Sequence, residues 1–279
     1  MNRFAISTFI LAFGLLLNSC GPKGASSESR QACVPYQIRV EVNDNSMTVI
    51  WKADCDQLTS GYNIYVTEYS LWNKYKNKQL PKSVRPHNTV FFPGDIDRAD
   101  KIEHYQADGL ENGKKYFVSV RIVYPDRTLS RPSKEITAYC YPNGIIELPI
   151  RNKARTDGFS FGLNKSVEAT DLENDIYFFS KEGKNYLNSP NKMNGFLRKN
   201  KFIKLPFEGD FADIIGNLKN SRFIPKNERV EVIKGDWVEI LTEDSNFILL
   251  KVLDITGTGD NKKIKLFYAA NRVPNSLNF

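Results

Sequence analysis

The chain has 279 residues and a formal charge of +7, with 41% hydrophobic and 25% charged side chains, a balance that gives a packed globular protein and excludes a disordered one. Lysines and acids are interleaved along nearly all of it, so the charge is distributed rather than gathered on one face, which argues against nucleic acid as a partner. With two histidines and four cysteines, no Cys-x-x-Cys and no His-Glu-x-x-His, neither a metal site nor a cofactor is expected.

The chain opens on a short basic head at Arg3 and an apolar run from Phe4 to Leu17. Such a run is too short for a bilayer-spanning helix, which needs about 20 residues, and it fits the central region of a secretory signal. It ends Leu17-Asn18-Ser19-Cys20, which resembles the lipobox of bacterial lipoproteins. The resemblance implies that residues 1–19 are removed and that the Cys20 thiol carries a diacylglyceryl group. One acyl chain holds a protein only marginally, and two or more hold it stably. Residues 20–32 are small and polar, a flexible tether that spans at most about 40 Å.

Residues 33–141 follow as period-two segments. Ile38, Val40 and Val42 share a face, as do Met47, Val49 and Trp51, then Tyr62, Ile64 and Val66, then Tyr116, Val118, Val120 and Ile122. Trp51, Gly61-Tyr62, the Leu110…Tyr116 spacing and Ser130-Arg131-Pro132-Ser133 resemble, in order, the core tryptophan, the third strand, the tyrosine corner and the last-strand lead of a fibronectin type III sandwich. The stretch from Tyr62 to Leu110 is longer than that family's usual connection. The implied topology puts Cys33 and Cys55 near one pole and Cys140 at the other, so a Cys33–Cys55 disulfide is expected, with Cys140 free or buried. The alternative is three reduced thiols. Within the long connection Tyr69, Trp72 and Tyr75 stand among lysines. Such rings stack on sugars or on a partner's apolar surface; in the blander reading they pack the loop onto the sandwich.

Residues 142–279 are again strand-rich, with turn pairs between segments. One helix is expected within 209–219, capped by Asp210. The fold class is therefore all-β: a fibronectin type III-like sandwich followed by a second antiparallel sandwich or barrel. The second unit is faintly similar to β-rich domains of bacterial surface lipoproteins and gives no family name.

Chemistry is scarce. Gly158-Phe159-Ser160-Phe161-Gly162 fits G-x-S-x-G, but no amphipathic helix or later histidine follows, so Ser160 is expected as an exposed strand residue between two buried phenylalanines. Asp171, Glu173 and Asp175 alternate and are read as a solvated strand edge rather than a calcium site. Between Lys184 and Phe207 stand six basic residues and no acid: Lys184, Lys192, Arg198, Lys199, Lys201 and Lys204. Of these Lys192, Arg198, Lys199 and Lys201 join Tyr69, Trp72 and Tyr75 as candidate ligand contacts for anionic headgroups or an acidic glycan; the alternative is a polar hairpin guarding an edge. The expectation is a non-enzymatic, lipid-anchored adaptor of the cell envelope, on the outer membrane if the cell has one, with an envelope protein or glycan as partner. The alternatives are a polysaccharide-acting enzyme or accessory module and a structural subunit of an envelope assembly.

Overall fold

A computed structural model describes residues 33–54, 59–76, 80–95, 100–151, 156–193, 197–277 and 279. The signal segment, Cys20, the tether and Cys55 lie outside the described residues. No helix among the described residues is long and apolar enough to cross a membrane.

The first unit is built from β1 (Tyr36–Asn43), β2 (Ser46–Lys52), β3 (Gly61–Thr67), the one-turn helix α1 (Leu71–Tyr75), β4 (Ile102–Asp108), β5 (Lys115–Val123) and β6 (Ile136–Tyr139). Two antiparallel sheets, ordered β1-β2-β4 and β3-β5-β6, face each other. The period-two alternation turns Met47, Val49, Trp51, Ile64, Val118, Val120 and Ile122 inward, all fully buried. The Trp51 and Tyr62 rings meet edge to face at 5.1 Å, the geometry aromatic quadrupoles favour. At the tyrosine corner the Glu111 N–H donates to the Tyr116 hydroxyl at 2.8 Å. Pro132 of the last-strand lead breaks the ladder beside β5. Ser133 and Ser130 repair it, their hydroxyls accepting from Val120 N and Ile122 N at 2.9 Å each.

The long connection after β3 covers what would be a bare edge. His87 N donates to the Ile64 carbonyl at 2.7 Å, Ile64 N to the Asn88 side chain at 2.8 Å, and Tyr62 and Phe92 exchange backbone hydrogen bonds. An unpaired edge strand is an aggregation hazard, and this segment removes it. Cys33 is disulfide-bonded. Cys140 is a free, buried thiol whose pKa burial pushes up to about 11.

The second unit comprises β7 (Asn143–Pro149), β8 (Gly158–Ser160), β9 (Lys165–Val167), β10 (Ile176–Lys181), β11 (Lys184–Asn188), β12 (Lys201–Lys204), α2 (Phe211–Asn220), β13 (Arg229–Glu231), β14 (Trp237–Leu241), β15 (Phe247–Thr256) and β16 (Lys263–Asn271). Its sheets run β13-β11-β10-β8-β9 and β12-β14-β15-β16-β7. Ile176, Phe178 and Leu187 of the first face Val238, Ile240, Leu250 and Leu266 of the second across the core. The far face of the second sheet is also buried. Helix α2 starts at Asp210, whose side chain forms a reciprocal capping box with Asp213, and lays Ile214, Ile215 and Leu218 over Trp237, Leu249 and Ala269. The unit therefore has three layers. Glu239, between Trp237 and Leu241 on β14, is caught in the outer seam with no exposure and no hydrogen bond to either carboxylate oxygen.

The chain passes from β6 to β7 through Cys140, Tyr141 and Pro142, and the two units touch at that junction. The Asn143 amide donates to the Val42 carbonyl at 2.7 Å, and Arg272 stands 3.6 Å from Asp44. Gly113, at φ +73°, comes so close to Val273 that a Cβ would lie 1.9 Å from its Cγ2; only glycine fits there.

Candidate ligand-binding surfaces

The aromatic stretch of the long connection becomes a rigid platform. Ser70 caps α1, its hydroxyl accepting from Asn73 N at 3.0 Å. Glu135, just before β6, brackets the same turn from the neighbouring chain segment. One carboxylate oxygen accepts from the Ser70 hydroxyl at 2.5 Å, and the other from Leu71 N and Trp72 N at 2.9 and 3.2 Å. At the far end Lys76, in the left-handed region at φ 44°, closes the turn through its N–H to the Trp72 carbonyl. A single helical turn is too short to be stable alone, and these side-chain bonds hold it.

Leu71 is the residue that docks, 6% exposed, while Trp72 stays 50% and Tyr69 41% exposed. Leu71 anchors the loop, Tyr75 is half-buried beside it, and the Tyr69 and Trp72 rings stay available. The Lys74 ammonium lies 4.2 Å from the Tyr69 ring centre and 5.6 Å from that of Tyr75, a cation–π arrangement that stiffens the platform. Under it a cavity of about 10 Å³, lined by Leu71, Trp72, Tyr75, Arg121, Pro132 and Glu135 among others, has room for one water.

Arg121 went unnoticed in the sequence. It is nine-tenths buried, donates to the Ser130 carbonyl at 3.3 Å, and burial lowers its pKa. The signal was present: on β5 the even positions 116–122 are apolar core, so Arg121 had to face outward, under whatever covers that sheet.

The basic stretch of the second unit is not an open positive surface. Lys184 pairs with Glu231 at 3.0 Å, Lys192 and Lys201 with Glu228 at 3.0 and 2.7 Å, and Lys204 with Asp236 at 2.6 Å. The hydrogen bonds from Lys201, Asn191 and Lys192 drop the Glu228 pKa to about 2. Arg198 sits between Asp175, at 3.0 Å, and Asp244. Burial opposes its charge, but the two carboxylates outweigh that and raise its pKa. Lys199 stands beside Glu243, which accepts from its backbone N–H. Acids distant in sequence fold back onto five of the six cations, Lys199 being met only at its backbone, which a count along the chain does not see.

Two further expectations are corrected. Ser160 is buried, 1% exposed, with its hydroxyl accepting from Leu163 N; β8 is an interior strand, paired with β10 along one edge and β9 along the other. The histidines are in the first unit, His87 bound to Tyr105 and the Asp108 carbonyl, His104 to Asp95. Asp171, Glu173 and Asp175 lie in a turn and not on a strand. Asp175 is buried, accepting from Phe161 N at 2.8 Å and Asn200 Nδ2 at 3.2 Å; burial raises its pKa against the pull of Arg198. Asp171 and Glu173 remain exposed. Among the described residues no group of three His, Cys, Asp or Glu could hold a metal ion.

The family model of the fibronectin type III domain matches residues 34–139. The first unit is a fibronectin type III domain. A search of curated proteins finds no match. Among solved structures the chain is similar to an Fn3-like protein from Clostridium thermocellum, 15% identical over 37% of this chain and 86% of that one, at a TM-score of 0.26. It is similar also to the Family 28 exopolygalacturonase of Yersinia enterocolitica, 21% identical over 46% and 23%, TM-score 0.27. A third is an α-L-rhamnosidase from Dictyoglumus thermophilum, 13% identical over 85% and 25%, TM-score 0.27. The chain spans about a quarter of each of the last two.

Proposed function

We propose that this chain is a lipid-anchored, non-catalytic adaptor of the cell envelope, which captures an envelope protein or glycan through the Tyr69–Trp72–Tyr75 platform of its fibronectin type III domain. The observation that carries the reading is the bracketing of α1. Two side chains, Ser70 and Glu135, commit four hydrogen bonds to hold one helical turn, and that turn presents a half-exposed tryptophan. A rigid aromatic with little entropy left to lose is the kind of anchor that dominates binding energy. The lipobox-like Leu-Asn-Ser-Cys20 supports the anchor, and the polar tether gives the domain reach from the bilayer. A Cys33–Cys55 disulfide suits an exported chain.

The full chain, lipidated and in detergent, is tested by glycan array and by affinity capture from envelope extract, wild type against Trp72→Ala. The expected result is a saturable ligand whose affinity falls at least tenfold in the variant, since a platform tryptophan is worth about 2 kcal/mol or more. A ligand bound equally by both removes the platform. Palmitate label that persists in Cys20→Ala removes the anchor.

A further inference from the structure

The outer face of the β13-β11-β10 edge carries polar groups that its own fold leaves unanswered. Alternation sends Phe178, Leu187 and Val230 into the core, so Tyr177, Asn188 and Arg229 point outward. The register aligns them in one row across three strands: Tyr177 opposite Asn188, and Asn188 opposite Arg229. Arg151, bound through its backbone N–H to the Phe178 carbonyl, extends the row, its guanidinium 5.9 Å from the Tyr177 ring centre. Arg229 closes the other end, 5.2 Å from the Tyr186 ring and 6.0 Å from that of Phe179.

The row is a set of donors. Arg229 Nε donates to Asn188 Oδ1 at 2.7 Å. An arginine only donates, so the amide orientation is fixed and Asn188 Nδ2 is turned away from it. That Nδ2 is buried with no acceptor, on a residue with no exposure, and Arg151 Nε is likewise buried with no acceptor. Neither arginine has a carboxylate partner among the described residues. The acids flanking Arg229 are engaged elsewhere, Glu231 with Lys184 and Glu228 with Lys192 and Lys201. Both guanidiniums act on the Tyr177 phenol, pulling down a pKa that burial raises. An open cavity of about 340 Å³ lined by Lys192, Asn227, Glu228 and Arg229 adjoins the Arg229 end.

Buried donors without acceptors are costly unless something answers them, and the guanidiniums beside them, Arg229 exposed and Arg151 half-buried, have no carboxylate of their own among the described residues. We propose that this row is a binding site for a compact oxyanion, a carboxylate or phosphate group, held between Arg151 and Arg229 and accepting from Asn188 Nδ2. Planar guanidiniums match such groups bidentately, and the flanking Phe179 and Tyr186 rings suit an anion carried on a sugar ring. The site lies in the second unit and does not depend on the platform of the first.

The test is calorimetry and thermal melting of the full chain with inorganic phosphate, glucuronate and glucose, each against sodium chloride of matched ionic strength. Binding and stabilisation by phosphate or glucuronate, absent with glucose, are expected, and the stronger of the two identifies the anion's source. Arg151→Gln, whose side chain makes no hydrogen bond among the described residues, is expected to weaken binding at least tenfold. Asn188→Asp supplies an internal carboxylate to Arg229 and removes the donor, so it is expected to abolish binding while raising the melting temperature. No stabilisation beyond that of matched sodium chloride, or unchanged binding in Arg151→Gln, overturns the proposal.

Discussion

The two sandwiches solve the same packing problem with opposite treatment of polar groups. In the fibronectin type III domain the interior between the sheets is apolar, and apart from Arg121 beneath the platform hydrogen-bonding side chains work at edges and turns: Ser130 and Ser133 beside β5, Asn88 beside β3, Tyr116 at its corner. In the second unit Asp175, Asn188, Asn200 and Glu239 are all essentially buried. The reason is layering. With three layers, the outward positions of the middle sheet are covered by α2, which accounts for Glu239; Asp175 and Asn200 are buried against each other. A buried polar group must be answered or its cost accepted, so the second unit is where substitutions and pH should act hardest.

The sharpest break of that contrast is Asp175→Ala. It strips Arg198 of its buried partner and removes the acceptor of Phe161 N, while Asn200 Nδ2 keeps only its bond to the Asp175 backbone carbonyl at 2.8 Å. Deleting one side of a buried pair typically costs 3–5 kcal/mol, so urea melts should show a loss of about that size. A loss below about 1 kcal/mol would mean that water already shares the pair.

Glu239 sharpens it through pH. Burial lifts its pKa to about 7 against an ordinary 4.5, with Arg222 pulling slightly the other way. On the same sheet face Lys251 sits over Trp237 and Lys201 is taken by Glu228, so neither serves as its partner. The folded state binds this proton more tightly than the unfolded one. Stability is therefore fullest below about pH 4.5, falls as pH rises through 4.5 to 7, and levels off above. The penalty reaches about 3 kcal/mol. Glu239→Gln is expected to abolish that slope, which melts at pH 5 and pH 8 read directly; a wild-type slope that survives the substitution lies elsewhere.

Legibility in the sequence follows the same division. Period-two alternation exposed the first sandwich, strand-rich segments between turn pairs marked the second unit as an antiparallel sandwich or barrel, and Asp210 announced α2, because those signals are local. The tyrosine corner and Ser130…Ser133 were readable for the same reason. What escaped was long-range. Acids such as Glu228 and Asp236 return to the basic stretch only through sheet pairing. The third layer, which buries Glu239, and the interior place of β8 in its sheet are products of topology. The aromatic platform was half legible: its rings were visible, and its bracket Glu135, over sixty residues away, was not.

Within the first domain the expected effects are smaller. Glu135→Ala removes three charge-assisted bonds from α1 and should cost about 2 kcal/mol locally. Trp72 fluorescence should become more quenchable by iodide while the core of Trp51 melts nearly as before. If quenching does not change, Ser70 alone holds the turn, and the preorganisation that the adaptor reading relies on does not come from Glu135.

Tyr116→Phe is the mildest test. It deletes the hydroxyl that accepts from Glu111 N and leaves the ring, whose packing in the core is unchanged. The stranded N–H belongs to an exposed residue at a turn, where water can take over as acceptor. A neutral hydrogen bond replaced by water is worth about 1 kcal/mol, against the several expected for Asp175. A penalty as large as that of Asp175→Ala would show that the corner, too, is effectively dry, and that the two sandwiches differ in where their polar groups lie and not in how far water reaches them.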